Sequence, residues 1–569
     1  MPIKSRWELD VPNAHLATLV FTSATHPLSQ SHRCFISATK PDTHFLTTHD
    51  FRLWSQRLAC GLRNSGVKTG DRILFFSGND LLFPVVYMGI VMAGAIFTAA
   101  NPASTARELA VQLKDSGAKY LICAETAIAT GLQAARITEL DSEMVFVFNS
   151  AVFDTECSLT CGGHRTDFRN LQCRYWGELL APVEEGRRFV WDELPSAELA
   201  NRTLALNYSS GTTGPPKGVE ISHKNIIANM LQFNHMFYLN PGYKERLKRS
   251  RWLCALPLYH AMAQNMFIGI ALLRGVPVYV MEKYDFHRFL QAIERFRVTD
   301  LILVPPIVVR MAKDPATRKH DLSSVETIFC GSAPLGREVC EEVEALWPDR
   351  RVNIKQGWGM TESTSIVMAW HPLEWSDSAC VGELVPNCEA KVIAEDGITA
   401  LGRNQRGELW VRGLNIMKGY WNNSKATKET LTEDGWLRTG DIAYVDDHSK
   451  WFIVDRKKEL IKVKGNQVAP AELEALLLEH PAISDAAVIG IPYNADERPR
   501  AYVVIKPGMT ATSQEVTMFI DSRVSRTKRL TGGIAFLEAI PKNPSGKILR
   551  NVLRKAAIEE TDRMATSKL

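Results

Sequence analysis

Short apolar runs alternate with amphipathic stretches through the first part of the chain. Arg72 to Ser77 has the pattern of a buried strand, Leu82 to Met92 that of a helix, and Ile96 to Thr98 that of another strand. Because strands and helices follow each other in turn, the pattern predicts a parallel sheet that is covered by helices on both faces.

The next elements continue this alternation. Thr105 and Glu108 form a capping box that opens a helix, Gly117 closes that helix, and Tyr120 to Cys123 reads as a strand. A second round of short apolar runs begins near Trp252 and predicts a second α/β unit. Its expected strands are Cys254–Leu256, Val276–Val280, Leu301–Val304 and Thr327–Cys330, and its clearest helix is Phe286–Phe296.

The pattern changes near Val381 to short β-like runs that glycines separate, which predicts a small β-barrel subdomain. A compact α+β pattern follows a charged stretch, Arg456 to Lys464. Its expected elements are the helices Ala471–Leu478 and Gln514–Ser522 and the strands Ala486–Ile491 and Ala501–Ile505. We therefore expect a large domain of two doubly wound α/β subdomains plus the barrel over residues 1–455, and a small mobile domain over 456–569, with a hinge at 455–458.

Length and charge narrow the class of protein. A chain of 569 residues exceeds the size at which one core stops growing, which agrees with two or more domains. The 67 basic and 63 acidic residues give a net charge of only +4, so nothing indicates nucleic-acid binding. Leu81 to Ala100 carries no charge and is long enough to span a bilayer, but Pro84, Gly89 and Gly94 favour a buried helix and strand over a membrane span.

Cysteine usage and the two ends of the sequence bear on the compartment. The start, MPIKSRWELD, has no apolar signal segment, and 11 cysteines in a chain of this size fit a reducing compartment. The last three residues, Ser567, Lys568 and Leu569, match a peroxisomal targeting signal, so we expect recognition by an import receptor in a eukaryotic cell. The residues Cys157, Cys161, His164 and Cys173 could hold zinc, but their spacing favours an inserted surface loop.

The stretch from Tyr208 to Val219, YSSGTTGPPKGV, has the composition of a loop that binds phosphate. Its glycines free the backbone N–H groups to face an anion, its serines and threonines add hydroxyl donors, and Lys217 adds a positive charge. Pro216 and Gly218 flank Lys217, which differs from the Gly-Lys-Ser/Thr ending of a P-loop. The stretch therefore predicts a nucleotide-triphosphate site of another kind, and a solvated glycine-rich turn is the alternative.

Five further motifs occur in a recognisable order. They are QGWGMTES at 356–363, GELWVRG at 407–413, RTGD at 438–441, DRKKELIKVKGNQVAP at 455–470 and PSGKILR at 544–550. With the phosphate loop they resemble the adenylate-forming superfamily of acyl-CoA synthetases, firefly luciferases and peptide-synthetase adenylation domains, and most closely the 4-coumarate:CoA ligase-like enzymes. The resemblance covers nearly the whole chain and implies an AMP-forming acid:CoA ligase that uses ATP, Mg²⁺ and CoA.

The resemblance also implies roles for individual residues. Glu362 matches the Mg²⁺ ligand, Lys217 and Lys547 the cations at the reacting phosphate, and Lys458 the hinge. The positions implied for ATP and CoA are Ser209, Ser210, Gly211, Thr212, Thr213, Gly214, Lys217, Trp358, Thr361, Asp441, Arg456, Lys462, Lys464, Gly465 and Gln467. Among these, Trp358 matches the aromatic residue that stacks on adenine, and Asp441 and Arg456 match the partners of the ribose hydroxyls.

The resemblance also implies which residues line the pocket for the acid. His260, in the PLYH motif, matches the histidine beside the bound carboxylate. The other positions expected to line the pocket are Met262, Met266, Arg310, Gly331, Gly357, Ser365 and Ile366, and Arg310 is equally compatible with a solvent-facing position. Because the two methionines offer no good hydrogen-bond partner, we expect an apolar aryl or medium-chain acyl group rather than coumarate.

Three other functions share these motifs. An amino-acid adenylation domain would carry an aspartate in the histidine motif, and PLYHAM has none. A luciferase-like adenylating oxygenase stays possible, and light output with luciferin would identify it. A non-catalytic relative is disfavoured, because Lys217, Glu362, Asp441, Arg456 and Lys547 are all present.

Overall fold

The computed structural model describes residues 2–22, 29–150, 173–209, 216–376, 380–463, 466–493, 496–543 and 546–566. Two large sheets form the centre of the chain's first domain, as the alternating pattern predicts. In spatial order, the first consists of Gly419–Tyr420, Lys217–Ser222, Thr203–Ser209, Ile96–Ala100, Arg72–Phe76, Tyr120–Ala124, Val145–Phe148 and Arg174–Tyr175. Its last six strands in this order are parallel, and Lys217–Ser222 pairs antiparallel both with Thr203–Ser209 and with the edge strand Gly419–Tyr420.

The second sheet has seven strands, in the order Ile354–Gln356, Thr327–Cys330, Asp300–Leu303, Trp252–Cys254, Val278–Val280, Arg33–Ser37 and Phe45–Thr47. All are parallel except the last. The α-helices of the large domain are Leu16–Thr22, Thr48–Asn64, Phe83–Met92, Ala106–Ser116, Ile128–Ile137, Val183–Arg188, Ala197–Ala200, His223–Tyr238, Tyr243–Arg249, Ala261–Ala263, Ala271–Arg274, Phe286–Phe296, Pro305–Lys313, Arg337–Glu344 and Ser424–Thr430, and Gln264–Ile270 is a π-helix. Short 3₁₀ turns span Glu125–Ala127, Ser142–Met144, Trp176–Leu179, Pro315–Lys319 and Thr361–Ser363.

Local signals account for several of these elements. The helix Ala106–Ser116 has the expected capping box between Thr105 and Glu108, and Gly117 ends it in the left-handed region with φ 61°. The uncharged stretch forms the fully buried helix Phe83–Met92 and the strand Ile96–Ala100. No helix in the described ranges has the length and apolar character needed to cross a bilayer.

The third sheet of the large domain is antiparallel and five-stranded, in the order Ile3–Lys4, Glu389–Ile393, Gly407–Arg412, Leu437–Val445 and Trp451–Arg456. Within the described ranges its two outer strands do not pair with each other, so the barrel expected here is an open sheet. The edge strand instead extends its hydrogen bonds to Val381 and Gly382. Periodicity predicts strands in this region, but it does not show which edges meet.

The small domain builds on the strands Ile483–Tyr493, Asp496–Ile505 and Ile534–Phe536, with a separate hairpin of Ile461–Val463 and Asn466–Val468. Its helices are Pro470–Leu478, Ser513–Asp521 and Arg550–Thr566, and a 3₁₀ turn spans Arg526–Lys528. One face of the sheet packs Val488 and Val503 with Leu473, Leu477 and Val516 of the first two helices. The other face packs Ile489 and Tyr502 with Leu553 and Ala557 of the last helix, so the sheet is covered on both sides.

Close packing inside the large domain gives a stability prediction at Gly61, in the helix Thr48–Asn64. Alanine normally favours a helix interior over glycine by about 1 kcal/mol. A Cβ at Gly61 would lie 1.9 Å from the carbonyl oxygen of Leu179, so this backbone would have to move. We expect Gly61→Ala to lower the apparent melting midpoint, because overpacking of this kind costs about 1–3 kcal/mol.

Thermal denaturation compares this variant with Gly402→Ala, whose added Cβ would come no closer than 3.8 Å to Gln405. The control should melt like the wild type. A midpoint for Gly61→Ala equal to or above that of the wild type would contradict the packing argument.

Candidate active site

Two adjoining cavities lie where the small domain meets the large one. The inner cavity, of about 170 Å³, is lined mainly by residues of the large domain, and an interdomain cavity of about 230 Å³ lies beside it. Both are lined by Ser332, Gly357, Trp358, Gly359, Arg456 and Lys547. The two therefore form one continuous site with an inner and an outer part.

The inner cavity is built at the carboxyl ends of the second sheet's parallel strands, which is the usual ligand edge of an α/β sheet. The residues that follow four of these strands, and line the cavity, are Pro257, Val304, Gly331 and Gly357. At Gly357 a Cβ would lie 2.4 Å from the ring of Phe329, so a side chain there would displace this wall. The predicted pocket positions Met262, Ser365 and Ile366 also line this cavity.

Two predicted pocket residues lie elsewhere. Met266 is packed in the hydrophobic core at 1% exposure and is not among the residues that line the inner cavity. Arg310 is exposed, pairs with Asp314 at 3.4 Å and lies over the ring of Phe286 at 4.3 Å. The structure therefore corrects the expectation for Met266, which lies on a buried helix face. For Arg310 it favours the solvent-facing alternative, because the helix that carries Arg310 directs it to the surface.

Asp441 is the centre of the interdomain part of the site. It lies directly opposite Arg456 on neighbouring antiparallel strands, and its Oδ1 forms an ion pair at 2.8 Å with Arg456 Nε. The indole Nε1 of Trp358 donates to Asp441 Oδ2 at 2.9 Å. Asp441 is 4% exposed, and its Oδ1 accepts no hydrogen bond within the described part of the chain. The arrangement presents a fixed, buried carboxylate oxygen that is available to a hydroxyl donor.

Glu362 lies on the short turn Thr361–Ser363 and is 7% exposed. The hydroxyl of Tyr420 donates to its Oε1 at 2.9 Å. Lys217 Nζ lies 4.7 Å from the centroid of the same tyrosine ring. Burial, together with the neighbouring Glu362, raises the pKa of Tyr420, which keeps its hydroxyl a donor. One tyrosine thus contacts both the predicted metal ligand and the predicted phosphate lysine.

Lys547 is the small domain's contribution to both cavities. Asn543 Oδ1 accepts from its backbone N–H at 2.8 Å, and Gly546, with φ 84°, makes the turn before it. A Cβ on Gly546 would lie 2.7 Å from Pro306 of the large domain, so only glycine permits this close approach. Burial, followed by the charge of Arg456, lowers the pKa of Lys547 to about 8, although nearby carboxylates favour the cation.

His260 also lines the inner cavity and lies in the loop after the strand Trp252–Cys254. Burial, followed by the charge of Lys547, lowers the pKa of His260 to about 4, so the imidazole is neutral at physiological pH. Its Nε2 and the Oγ of Ser365 are both buried and have no hydrogen-bond partner within the described ranges. Two buried polar atoms without partners in one cavity indicate that a polar ligand group binds there.

Other predicted residues lie on the surface or outside the described ranges. Lys458, Lys462 and Gln467 are exposed, and Gln467 donates to Glu395 of the large domain. The positions outside the described residues are Ser210, Gly211, Thr212, Thr213, Gly214, Lys464, Gly465, Cys157, Cys161, His164, Ser567, Lys568 and Leu569. Ser209 ends the strand Thr203–Ser209, Lys217 begins the next, and Thr361 lines the inner cavity. Cys173 is half-buried, and the described residues contain no cluster of metal-ligating side chains.

Two tyrosines at the site, Tyr420 and Tyr208, are not among the residues that the sequence motifs predict for it. Tyr208 lines the inner cavity, and its hydroxyl donates to Asp115 at 2.6 Å. Tyr208 stands at the start of the phosphate-loop motif, which was a usable signal. No sequence signal pointed to Tyr420. It lies far along the chain from Glu362 and Lys217, and only strand pairing brings it into contact with them.

Comparisons with known proteins agree with this geometry. Residues 28–421 match the family model for the AMP-binding enzyme, and residues 472–547 match that for the AMP-binding enzyme C-terminal domain. The chain is 38% identical over 532 residues to 4-coumarate–CoA ligase 1 of Petroselinum crispum, covering 92% of this chain and 90% of the relative. It is also 38% identical over 557 residues to peroxisomal OPC-8:0-CoA ligase 1 of Arabidopsis thaliana, covering 96% and 94%.

Among solved structures, ATP-bound MatB from Rhodopseudomonas palustris superposes with a TM-score of 0.78 at 24% identity, over 95% of this chain and 98% of that one. This likeness supports the mixed α/β fold with a large and a small domain. The family models together cover most of the chain, and residues of both matched parts line each cavity. The chain therefore belongs to the AMP-binding enzyme family.

Proposed function

We propose that this protein is an AMP-forming acid:CoA ligase, which activates a carboxylic acid with ATP and transfers the acyl group to CoA. The observation that carries the proposal is that Lys547 of the small domain lines the same cavity as His260 and Glu362 of the large domain. A cation, a neutral imidazole and a carboxylate around one cavity suit a reaction between a phosphate and a carboxylate. The relatives at 38% identity are named as CoA ligases, which supports the same activity.

The nucleotide fits the interdomain cavity. Asp441 Oδ1, buried and without a hydrogen bond among the described residues, would accept from a ribose hydroxyl, and Arg456 beside it would hold a second ribose contact. The indole of Trp358 lines the same cavity and offers an aromatic surface for adenine. The triphosphate would then extend toward Lys217 and the loop that precedes it.

Glu362 fits the role of a Mg²⁺ ligand. Magnesium prefers carboxylate oxygen, and within the described ranges Tyr420 occupies only Oε1 of this carboxylate. When bound, the cation would neutralise phosphate charge. The other residues at the phosphates act by position: Lys217 and Lys547 bring two positive charges to the place where negative charge develops.

In the first step a carboxylate oxygen of the acid attacks the α-phosphorus of ATP. The bond from that phosphorus to the bridging oxygen breaks, and pyrophosphate leaves with the electron pair. Lys547 stabilises the charge that builds on the α-phosphate oxygens. Neutral His260 lines the same cavity and can contact the acid without adding a second positive charge beside Lys547.

In the second step the small domain turns about a hinge near Lys458, and the hairpin of Ile461–Val463 and Asn466–Val468 comes to the site. The CoA thiolate attacks the acyl carbonyl carbon, and AMP leaves with the electrons of the broken acyl–oxygen bond. The exposed side chains of Lys458 and Lys462 are available for the second arrangement, whereas Gln467 would first have to leave Glu395. Domain boundaries at 1–455 and 456–569 are part of this proposal.

The acid we propose is an aryl or medium-chain one with an apolar acyl group. Met262, Phe329, Val304 and Ile366 line the inner cavity. His260 Nε2 and Ser365 Oγ would contact the carboxylate end of the acid and a polar atom of the acid close to it.

We further propose peroxisomal import. The sequence ends in Ser567, Lys568 and Leu569, which match a targeting signal that the peroxisomal import receptor recognises. One relative is named a peroxisomal ligase.

The two half-reactions should be separable by mutation. Lys547→Ala removes a preorganised charge, and we expect pyrophosphate release to fall by about a hundred- to a thousand-fold. The same variant should still convert a supplied acyl-adenylate and CoA to thioester. Gly465→Leu should do the opposite, keeping single-turnover pyrophosphate release while losing thioester formation, because a side chain there would obstruct the thiol's path.

Both half-reactions are measured in both variants and in the wild type, over a panel of carboxylic acids. Equal loss of both steps in each variant would contradict an alternating small domain. If the wild type released no pyrophosphate with any acid of the panel, the proposed ligase activity itself would be contradicted.

The apolar wall gives a specificity prediction. Met262→Tyr places a phenolic hydroxyl in the inner cavity, and a hydrogen bond of this kind contributes about 1 kcal/mol. We expect the preference for 4-hydroxycinnamate over cinnamate, as a ratio of kcat/KM, to rise about five- to tenfold. Met262→Leu keeps the wall apolar and serves as the control, and a wild type that already favours the hydroxylated acid would contradict this assignment.

The localisation is tested with a fluorescent protein fused to the N-terminus. We expect the full chain to enter peroxisomes and the variant that lacks Leu569 to stay in the cytosol. Import of the truncated chain would show that the last three residues are not the address.

A further inference from the structure

We infer that Tyr420 is a positioning residue that holds Glu362 and Lys217 apart and in place before ATP binds. The inference rests on the proposed function. It concerns a side chain outside every sequence motif that pointed to the site, and the tyrosine would act through two other residues rather than on the reacting atoms.

Strand pairing fixes the backbone of Tyr420. The two-residue strand Gly419–Tyr420 pairs antiparallel with Lys217–Ser222, and Tyr420 lies opposite Val219. Trp421 donates from its backbone N–H to Gly218 at 2.8 Å, and Tyr420 donates in the same way to Thr427 Oγ1 at 2.9 Å. The tyrosine is therefore attached to the same strand that begins with Lys217.

The hydroxyl fixes Glu362. It donates to Oε1 at 2.9 Å, and the tyrosine and the glutamate are 9% and 7% exposed, so water competes little for this bond. A carboxylate with one oxygen held in this way has a defined orientation and keeps its second oxygen for a cation. Partners of this kind, which bind a metal's ligand rather than the metal, typically change metal affinity 10- to 100-fold.

The ring holds Lys217. Its ammonium lies 4.7 Å from the ring centroid, within the range of a cation–π contact. Lys217 and Glu362 have opposite charges and share this tyrosine, yet they form no ion pair in the part of the chain that the structure describes. A direct pair would have to break before phosphate and cation could bind. Tyr420 gives each charge a separate, weaker partner, so both stay available.

Two substitutions separate these effects. Tyr420→Phe removes the hydroxyl and keeps the ring, whereas Tyr420→Leu removes both. We expect Tyr420→Phe to weaken metal binding about tenfold or more and to leave metal-free nucleotide binding within twofold. Tyr420→Leu should weaken metal-free nucleotide binding several-fold as well, because Lys217 loses its ring contact.

The measurement uses Mn²⁺ and the non-reacting analogue α,β-methylene-ATP with the full chain. Electron paramagnetic resonance of free Mn²⁺ gives the metal Kd at saturating analogue, and calorimetry in EDTA gives the analogue's Kd without metal. Tyr444→Phe is the matched control, because Tyr444 stacks on Phe452 at 4.7 Å in the third sheet and does not line either cavity. It should bind both probes like the wild type.

An unchanged Mn²⁺ Kd in Tyr420→Phe would overturn the inference while the wild type still binds both probes and releases pyrophosphate. Equal weakening of both probes by Tyr420→Phe would also overturn it, because the hydroxyl would then act on the whole site. A wild type that binds neither probe would overturn this inference and the proposed function together. Melting midpoints within about 1 °C of the wild type verify that the variants are folded.

Discussion

Charge that is buried between two domains is the constraint on which the site depends. Lys547 enters an environment where burial and Arg456 disfavour its cation, and only the carboxylates of Asp441, Glu362 and Glu459 favour it. Removing one partner of a buried ion pair typically costs about 3–5 kcal/mol, because the other charge stays buried without compensation, so these groups have to be arranged together. The position of the small domain therefore depends on where the large domain places the carboxylates of Asp441 and Glu362. The third carboxylate, that of Glu459, belongs to the small domain itself.

The three larger sheets of the large domain all contribute to that arrangement. The first brings Lys217 and Tyr420 on adjacent strands, the second ends at the glycines that line the inner cavity, and the third places Asp441 opposite Arg456. None of the three could form the site alone. This explains why the residues that surround a cavity of about 170 Å³ are distributed over more than three hundred positions, from Tyr208 to Lys547.

The sequence predicted most elements whose signals are local. Phe286–Phe296 has the predicted limits, because an aspartate cap and a regular apolar stripe define it. The strand expected at Cys254–Leu256 is instead Trp252–Cys254, because the apolar run continues past the last strand residue into the cavity wall. The family's sequence motifs predicted that Asp441, Trp358, Glu362 and His260 belong to one site, and these residues line the two adjoining cavities. What the sequence could not show were contacts made by strand order, such as that of Tyr420, and the direction of side chains on a helix, as for Arg310.

The edge strand Ile3–Lys4 has a consequence for how the chain is made. Its partner is Glu389–Ile393, and the neighbouring Ser5 hydrogen-bonds to Leu384, 379 residues further along the chain. At a synthesis rate of about 5–20 residues per second, the first residues wait on the order of 20 to 80 seconds before their partner leaves the ribosome. The sheet that carries Asp441 is thus completed only late in translation, and until then an unpaired strand edge is open to chaperones or to other chains.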